Sequence, residues 1–252
     1  MSNKNSVELI DFMGGDNLHS LAAWSSTFLE FDIDIPENIE NRVDVLVNHI
    51  LNNGKKKRKV EDLLEYLASN QHTSPFRFSS FVFGMTTDIA THIQKLKHKV
   101  ILEAENGESA RYKELKEDKI YLPEDWKGCL LSQESLAQSN GIYGLNATWL
   151  TALEDYSILG NKLYHRCLED LTPILGRKRA KESARYFKTM NSQINTLNKF
   201  SFDGVVQFAY KRNTEHAQKE IAFVAQEMLN CIKNIPKNPF KYSLKAFFPE
   251  GV

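Results

Sequence analysis

Residues 79–96 read Ser79-Ser-Phe-Val-Phe-Gly-Met85 and then Thr-Thr-Asp-Ile-Ala-Thr-His-Ile-Gln-Lys-Leu96. The first part is rich in aromatic and β-favouring residues, which predicts a strand. The second part has Ile89, Ile93 and Leu96 at helical spacing, and Val100 continues the same period. The stretch therefore predicts a strand that leads directly into a helix.

The sequence before this unit predicts one strand and two helices. Residues 7–13 have strand character and stop at Gly14-Gly15. Apolar residues then recur at helical spacing over residues 43–51 and again over residues 60–67. The interruption between them contains the basic run at residues 55–59, so we expect the two helices to be joined by a basic loop.

The sequence after the unit predicts one long polar loop and then four helices. Residues 103–126 contain Asn106-Gly107 and Leu122-Pro123, so we expect an ordered loop that adds nothing to the core. Apolar periodicity predicts the helices that follow. The first is a long helix that begins at Trp149 and stops near Pro173 and Gly176, and the second covers about residues 180–190. The third is a short buried helix over residues 202–209. The fourth runs through Ile232, with Thr214 as N-cap, Glu215 in its first turn and Pro236 beyond its end.

Composition favours one globular α/β domain over residues 1–252, with mostly helical mass. The chain is 42% hydrophobic and 25% charged and has no repeat or linker, which excludes disordered and fibrous classes. Its 32 Lys and Arg balance 32 Asp and Glu, so no global field attracts nucleic acid or an anionic membrane. We expect a cytoplasmic protein, because neither a secretory signal nor a spanning segment is recognisable. Cys129, Cys167 and Cys231 are expected to be buried, reduced thiols.

Common catalytic motifs are absent from the sequence. It contains no Gly-x-Gly-x-x-Gly, Walker loop, Gly-x-Ser-x-Gly or His-Glu-x-x-His, and we expect no metal site. The basic run at residues 55–59 could bind phosphate or act as a nuclear import signal, but a solvated loop is the favoured interpretation. The same interpretation is favoured for the basic residues 177–181.

Three polar clusters carry the remaining chemistry. They are His72-Thr-Ser-Pro-Phe76, the stretch from Gln94 through His98 to Ser109-Ala-Arg-Tyr112, and Arg212-Asn-Thr-Glu-His-Ala-Gln218. Each puts cations or imidazoles beside hydroxyl or amide groups, as a site for phosphate and a polar heterocycle requires. Gln94, Lys97 and His98 are expected to share one helix face and to converge on one ligand. The alternative is an ordinary solvated helix face.

These clusters, in this order, resemble the flavin-dependent thymidylate synthases. The family pattern is His-x-x-Pro-Phe before a strand, Arg-His-Arg on a helix, a loop ending in Ser-x-Arg-Tyr, and Arg-x-x-x-His-Ala-Gln near the C-terminus. The resemblance runs over about residues 7–227. The residues of this chain that correspond to the pattern are His72 to Phe76, Lys97-His98-Lys99, Ser109 to Tyr112, Arg185, Gln207, and Arg212 followed by His216-Ala-Gln218.

The chain also departs from the family pattern. Lysines replace both arginines of the central triplet, and lysine keeps the charge but lacks the planar bidentate fork. The loop from Lys99 to Ser109 is longer than usual, and Gln207 replaces an Asn. Arg77-Phe78 replaces the usual Glu-His, and Asp203 stands where an Arg is expected.

The resemblance implies an α+β fold of the thymidylate synthase-complementing type, with a mostly antiparallel sheet flanked by long helices. It implies methylation of dUMP to dTMP with FAD, NADPH and methylenetetrahydrofolate as carbon donor, in a homotetramer whose sites combine subunits. Ser109 and Arg212 are the implied catalytic residues, Ser109 as a nucleotide ligand and Arg212 as the group that polarises the base. The implied substrate-binding set is Gln94, Lys97, Ser109, Ala110, Arg111, Arg185 and Arg212, and the implied cofactor-binding set is His72, Ser74, His98, Lys99, Asn106, Gln207, Arg212 and His216.

Two alternatives stay open. One is a related flavin- and folate-dependent transferase that acts on another pyrimidine nucleotide or installs a hydroxymethyl group, which the altered triplet and loop favour. The other is a non-enzymatic nucleotide- or nucleic-acid-binding protein that uses the basic run at residues 55–59.

Overall fold

The structure is a computed structural model that describes residues 4–26, 39–52, 59–98, 101–109 and 111–250. The strands are β1 (Ser6–Met13), β2 (Ser80–Asp88), β3 (Leu102–Gly107) and β4 (Gln193–Ser201). The helices are α1 (Asp16–Trp24), α2 (Arg42–Asn52), α3 (Val60–Ser69), α4 (Ile89–Leu96), α5 (Gln133–Gln138), α6 (Trp149–Leu175), α7 (Arg177–Ala184), α8 (Phe202–Arg212), α9 (Lys219–Lys233) and α10 (Lys241–Phe247).

The strands form one four-stranded sheet in the order β1-β2-β4-β3. Contacts along each neighbouring pair show that residue numbers fall on one strand as they rise on the other, which is the antiparallel register. The expectation of a mixed fold with an antiparallel sheet is confirmed. Between β1 and β2, Asn5 contacts Asp88 and Ile10 lies beside Gly84. Between β2 and β4, Thr86 contacts Asn195 and Ile89 contacts Ser192. Between β4 and β3, Asn195 contacts Glu108 and Lys199 contacts Glu103.

The chain divides into two compact units. Unit 1 comprises Met1–Ser6, Thr86–Lys95 and Asn106–Thr196, and unit 2 comprises Val7–Met85, Leu96–Glu105 and Leu197–Val252. The core of unit 1 is small and lies between α6 and α7, where Tyr164 and Leu168 pack against Ala180 and Ala184. Every strand contributes residues to both units, and the single-domain organisation stays a prediction.

Unit 2 contains the larger core, and aromatic residues dominate it. Helix α9 contributes a stripe of buried residues at helical spacing, from Ile221 to Ile232. The rings of Phe202 and Phe240 are stacked with centroids 5.8 Å apart. Phe202 is the first residue of α8, so this packing joins the start of that helix to the C-terminal part of the chain. The fully buried phenylalanines are Phe76, Phe81, Phe83, Phe200, Phe202, Phe208 and Phe240.

Most predicted elements are confirmed, including β1, α2, α3, β2, α6 and α8. The prediction of a loop throughout residues 103–126 is wrong, because β3 occupies its beginning. The strand sequence is polar, and main-chain pairing with β4 at the sheet edge holds it in place. The segment also reaches the interior, since Ile120 is 3% exposed.

Several predicted helix ends are also wrong. Helix α4 ends at Leu96, and Val100 lies outside the described residues. Helix α7 ends at Ala184 because the chain tightens into a 3-10 turn over Arg185–Phe187. Helix α9 begins at Lys219 with Gln218 at the N-cap position, since the backbone of Thr214 closes a separate turn with Ala217.

The cysteines are free but not buried as expected: Cys129 is exposed, and Cys167 and Cys231 are half-buried. None of the helices in the described part of the chain combines the length and the hydropathy that a membrane span requires.

Candidate nucleotide and flavin site

The C-terminal end of α8 carries the best-defined polar pair of the predicted site. Helix α8 begins at an N-cap in which the Ser201 hydroxyl accepts a hydrogen bond from Gly204 N–H at 3.1 Å, and it ends at Arg212. The Arg212 Nε donates a 2.8 Å hydrogen bond to His98 Nε2. The His98 ring also meets Phe208 edge-on, with centroids 5.2 Å apart. Two predicted ligands from distant parts of the sequence are therefore held together.

This contact fixes the protonation state of His98. Because Nε2 accepts from a guanidinium that is always charged, the ring proton belongs on Nδ1. Partial burial lowers the pKa of His98, and the positive charges of Arg212 and Lys211 lower it further. His98 is thus a neutral imidazole that presents a donor at Nδ1.

The other predicted flavin ligands are His72, Ser74, Gln207 and His216 in unit 2 and Asn106 in unit 1. Gln207 is half-buried on α8, and His216 is exposed in the turn that follows this helix. His72 and Ser74 are exposed, and Ser74 opens a 3-10 turn over Ser74–Arg77 that packs against α8. Asn106 is exposed on β3, not in the predicted loop.

Two departures from the family pattern form an ion pair with each other. Arg77 Nε lies 3.8 Å from Asp203 Oδ2, and Asp203 is in the first turn of α8. An acid at 77 and a base at 203 are expected from the resemblance, so this chain has the reverse arrangement of charge. Asp203 Oδ1 is buried and makes no hydrogen bond within the described part of the chain. The reversal preserves pairing between the 3-10 turn and α8.

Arg111 has the best-defined contacts among the predicted nucleotide ligands of unit 1. The Ser109 hydroxyl accepts a hydrogen bond from the Arg111 backbone N–H at 3.3 Å, which forms a tight turn. Arg111 Nε donates to Glu182 Oε1 at 3.0 Å, and Arg179 Nη1 lies 3.5 Å from Glu182 Oε2. Glu182 of α7 thus holds the Arg111 guanidinium through its Nε. Arg185 is exposed in the 3-10 turn after α7.

The shared helix face predicted for Gln94, Lys97 and His98 is wrong. Because α4 ends at Leu96, Gln94 is half-buried on the helix, whereas Lys97 and His98 lie in the turn after it. Lys97 is exposed. Lys99 and Ala110 lie outside the described residues, as do residues 55–58 of the basic run.

Sequence reasoning missed Glu182, Arg77 and Asp203 as parts of the site. Glu182 is far from Arg111 in sequence, and its one local signal is the three-residue spacing from Arg179 on α7. The sequence does contain a signal for Arg77 and Asp203. Both residues reverse the charge of the family pattern, and two such reversals are consistent with a compensating ion pair.

The donors present fit the two expected ligands. His72, Ser74, His98, Gln207, Arg212 and His216 are all in unit 2, and they supply the cation, imidazole, hydroxyl and amide groups that a flavin dinucleotide needs for its phosphates and ring atoms. The fork of Arg111 and the exposed Arg185 are suited to a phosphate dianion. Two acids of the site, Asp203 in unit 2 and Glu182 in unit 1, carry a charge that opposes a phosphate, and each is paired with an arginine.

The chain resembles known enzymes along most of its length. It is 27% identical over 186 residues to the flavin-dependent thymidylate synthase of Gluconobacter oxydans (strain 621H), an alignment covering 71% of this chain and 59% of that protein. The enzyme of the same name from Ehrlichia ruminantium (strain Gardel) is 27% identical over 173 residues, with 68% and 55% covered. The chain therefore spans less than two thirds of the length of these curated relatives.

Solved structures show the same fold. The UMP/dUMP methylase PolB from Streptomyces cacaoi bound with 5-Br dUMP superimposes with a TM-score of 0.67 at 20% identity, covering 100% of this chain and 96% of that one. The complex with 5-Br UMP gives 0.68 at 21% identity, with the same coverage. A family model described as thymidylate synthase complementing protein matches residues 8–237. Since this match covers most of the sequence, the chain belongs to the thymidylate synthase complementing protein family.

Proposed function

We propose that this protein is an enzyme that methylates dUMP to dTMP, using methylenetetrahydrofolate as carbon donor and NADPH as reductant on a bound FAD. The observation that carries this proposal is the 2.8 Å contact between Arg212 and His98, which joins two motifs of the family in one polar pair. The reaction balances as dUMP, methylenetetrahydrofolate, NADPH and a proton giving dTMP, tetrahydrofolate and NADP⁺. We also propose that residues 1–252 act as one domain.

FAD, when bound, supplies the redox chemistry and the route for the one-carbon unit. The protein's own task is binding and electrostatics. Arg212 uses Nε for His98, so its Nη donors stay available to hold and polarise a carbonyl oxygen of the base. His98 stays neutral and offers its Nδ1 donor, and His72, Ser74, Gln207 and His216 complete the proposed flavin ligands.

The nucleotide is proposed to bind through its phosphate to Arg111 and Arg185, with Ser109, Ala110, Gln94 and Lys97 as further ligands. Because Glu182 occupies the Arg111 Nε, the guanidinium is oriented before the phosphate arrives. Pre-ordering of this kind lowers the entropy cost of binding. Ser109 serves as a ligand and not as a covalent nucleophile.

A second candidate substrate is UMP or another pyrimidine nucleotide. The observation that favours it is the similarity to a methylase described as acting on UMP and dUMP and solved with 5-Br UMP. The Lys-His-Lys triplet and the reversed Arg77–Asp203 pair also indicate a site that differs in detail from the family pattern. Transfer of a hydroxymethyl group stays open for the same reason.

We propose a homotetramer, which the family resemblance implies, and an exposed apolar stripe on a helix of unit 1 supports association. On α6, Trp149, Tyr156, Leu159 and Leu163 recur at helical spacing, and they are 46%, 64%, 53% and 41% exposed. Large exposed apolar side chains in one stripe are typical of protein interfaces. A cytoplasmic location stays a prediction.

The test of the flavin site is FAD binding by Arg212→Ala, with Lys211→Ala as the matched control. We expect the wild-type protein to retain flavin absorbance after gel filtration with excess FAD. Arg212→Ala should weaken FAD binding by about tenfold or more, since it removes a charge-assisted donor. Lys211→Ala removes an adjacent exposed cation and should change little. Failure of the wild-type protein to take up FAD would favour the non-enzymatic alternative.

A further inference from the structure

The chain continues beyond the family match with residues 238–248, here called the C-terminal segment. Its rings pack against the aromatic core of unit 2. Phe240 is fully buried and lies 4.8 Å from Phe81 between ring centroids. Phe247 meets Phe76 edge-on, also at 4.8 Å. Phe76 belongs to the His72 to Phe76 motif, so the C-terminal segment directly contacts a predicted part of the flavin site.

A buried chain of hydrogen bonds connects the same elements. Asp16 Oδ1 accepts from both Ser243 Oγ at 2.6 Å and Ser243 N–H at 2.8 Å, and Oδ2 accepts from Tyr242 N–H at 2.7 Å. His19 Nδ1 lies 2.8 Å from Ser243 Oγ, and His19 Nε2 lies 2.7 Å from Ser79 Oγ. His19, Ser79 and Ser243 are each at most 1% exposed.

The direction of each bond follows from the number of protons available. Ser243 Oγ donates its single proton to the Asp16 carboxylate, so it must accept from His19 Nδ1–H. The unprotonated Nε2 of His19 then accepts from the Ser79 hydroxyl. Burial lowers the pKa of His19 to about 3, so the ring is neutral at physiological pH. Ser79 therefore donates to His19, His19 donates to Ser243, and Ser243 donates to Asp16. Each hydroxyl proton in this chain of hydrogen bonds has an acceptor.

Ser79 is the point where this chain of bonds meets the site. It follows the stretch that presents His72, Ser74 and Arg77, and it immediately precedes β2. The ring of Phe76, within that stretch, also meets His19 with centroids 5.0 Å apart. The stretch is thus held at Phe76 by ring contacts and at Ser79 by a buried hydrogen bond.

We propose that the C-terminal segment, acting through His19, positions residues 72–79 for flavin binding, and that His19, Ser79 and Ser243 are positioning residues. This inference rests on the proposed function for its ligand. It assigns a role to a part of the chain that the family match does not cover. None of the three residues touches the flavin in this proposal; they fix the backbone that carries His72 and Ser74.

The experiment compares Ser79→Ala and Ser243→Ala with Ser20→Ala. Ser20 is a matched control, because it is buried next to His19 on α1 and its hydroxyl makes no hydrogen bond within the described residues. The measurements are the FAD dissociation constant, by quenching of flavin fluorescence, and hydrogen exchange of peptides covering residues 72–79. Nitrogen NMR of His19 reports which ring nitrogen carries the proton.

We expect Ser79→Ala and Ser243→Ala to weaken FAD binding by about five- to tenfold and to speed exchange in residues 72–79, while Ser20→Ala changes neither. His19 should carry its proton on Nδ1 in the wild-type protein. Unchanged FAD affinity and unchanged exchange in both variants would overturn the inference, as would equal losses in Ser20→Ala. If the wild-type protein binds no FAD, the proposed function fails and the flavin role fails with it. In that case, faster exchange confined to residues 72–79 in Ser79→Ala and Ser243→Ala would show that the two serines anchor this segment without a role in flavin binding.

Discussion

Arg111 is the residue for which the structure makes the sharpest substrate prediction. Its Nε is held by Glu182 at 3.0 Å, and its backbone N–H by Ser109 at 3.3 Å. Arg111→Ala removes one ionic partner of the nucleotide phosphate, which is worth roughly 1.5–3 kcal/mol. We therefore expect dUMP affinity to fall about ten- to a hundredfold, with FAD content unchanged.

The measurement for this prediction is titration of dUMP against flavin fluorescence, with Arg179→Ala as the control. Arg179 also pairs with Glu182, at 3.5 Å, but it is not among the proposed nucleotide ligands. Its removal should leave dUMP affinity within about twofold of wild type. Unchanged affinity in Arg111→Ala, or loss of FAD while dUMP still binds, would remove Arg111 from the phosphate site.

His19 predicts how stability depends on pH. Burial lowers its folded-state pKa to about 3, whereas a histidine in the unfolded chain has its ordinary pKa of 6.5. Below pH 6.5 the unfolded chain takes up a proton that the folded chain refuses, so stability falls as pH falls. Between pH 7 and pH 5.5 this group should lower the free energy of unfolding by about 1 kcal/mol.

Urea unfolding at pH 7, 6.5 and 5.5 measures this slope. His19→Gln lowers stability at every pH but should flatten the dependence, because the titrating group is gone. His216→Gln replaces an exposed imidazole and is the control. An equal slope in wild type and His19→Gln would show that His19 does not stay neutral on folding.

At the scale of elements, α6 and the 3-10 turn that carries Arg185 approach each other closely. A Cβ placed on Gly160 of α6 would lie 2.6 Å from the carbonyl oxygen of Phe187. Gly160→Ala should therefore push the turn away and cost about 1–3 kcal/mol of stability. We expect a lower melting temperature and a few-fold weaker dUMP binding through displaced Arg185.

Thermal unfolding and dUMP titration check this prediction. Gly144→Ala is the matched control, since within the described residues no atom beyond its chain neighbours lies within 4 Å of an added Cβ. It should leave both properties unchanged. A Gly160→Ala protein with wild-type melting temperature would show that the turn does not depend on this contact.

The elements that the sequence predicted well are those whose signal is local. The stripes of α2, α3, α6 and α9 repeat every three or four residues, so a short window is enough to identify them. Strands β3 and β4 are different, because their sequences are polar in large part and their pairing partner is distant. Strand propensity depends on such partners more than helix propensity does.

In the candidate site, too, the residues in short motifs could be predicted from the sequence, whereas the long-range contacts could not. The motifs around His72, His98 and Arg212 are short, and a family resemblance could find them. The hydrogen bond from Arg111 to Glu182 and the ion pair between Arg77 and Asp203 each join residues far apart in sequence. Likewise, the buried link from Ser79 to Asp16 requires the fold before it can be recognised.

At the scale of the whole molecule, the exposed stripe on α6 predicts association. Leu159 is 53% exposed in the middle of that stripe, and a buried charge at an interface is costly. Leu159→Glu should therefore shift the mass by light scattering from four chains toward one at micromolar concentration. Lys162→Glu is the control, since it changes charge on the same helix at an exposed polar position.

A monomeric wild-type protein would contradict the tetramer proposal. A tetramer that survives Leu159→Glu would place the interface away from this stripe.

Whether this protein methylates dUMP is decided by product formation from dUMP labelled with tritium at C5. Methylation at C5 must release that hydrogen, so tritium in water and dTMP should appear in equal amounts. We expect both when the flavin-loaded protein is given methylenetetrahydrofolate and NADPH, and neither with Arg212→Ala. Recovery of unchanged dUMP from the flavin-loaded wild-type protein would contradict it, and methylation of UMP alone would transfer the claim to the second substrate.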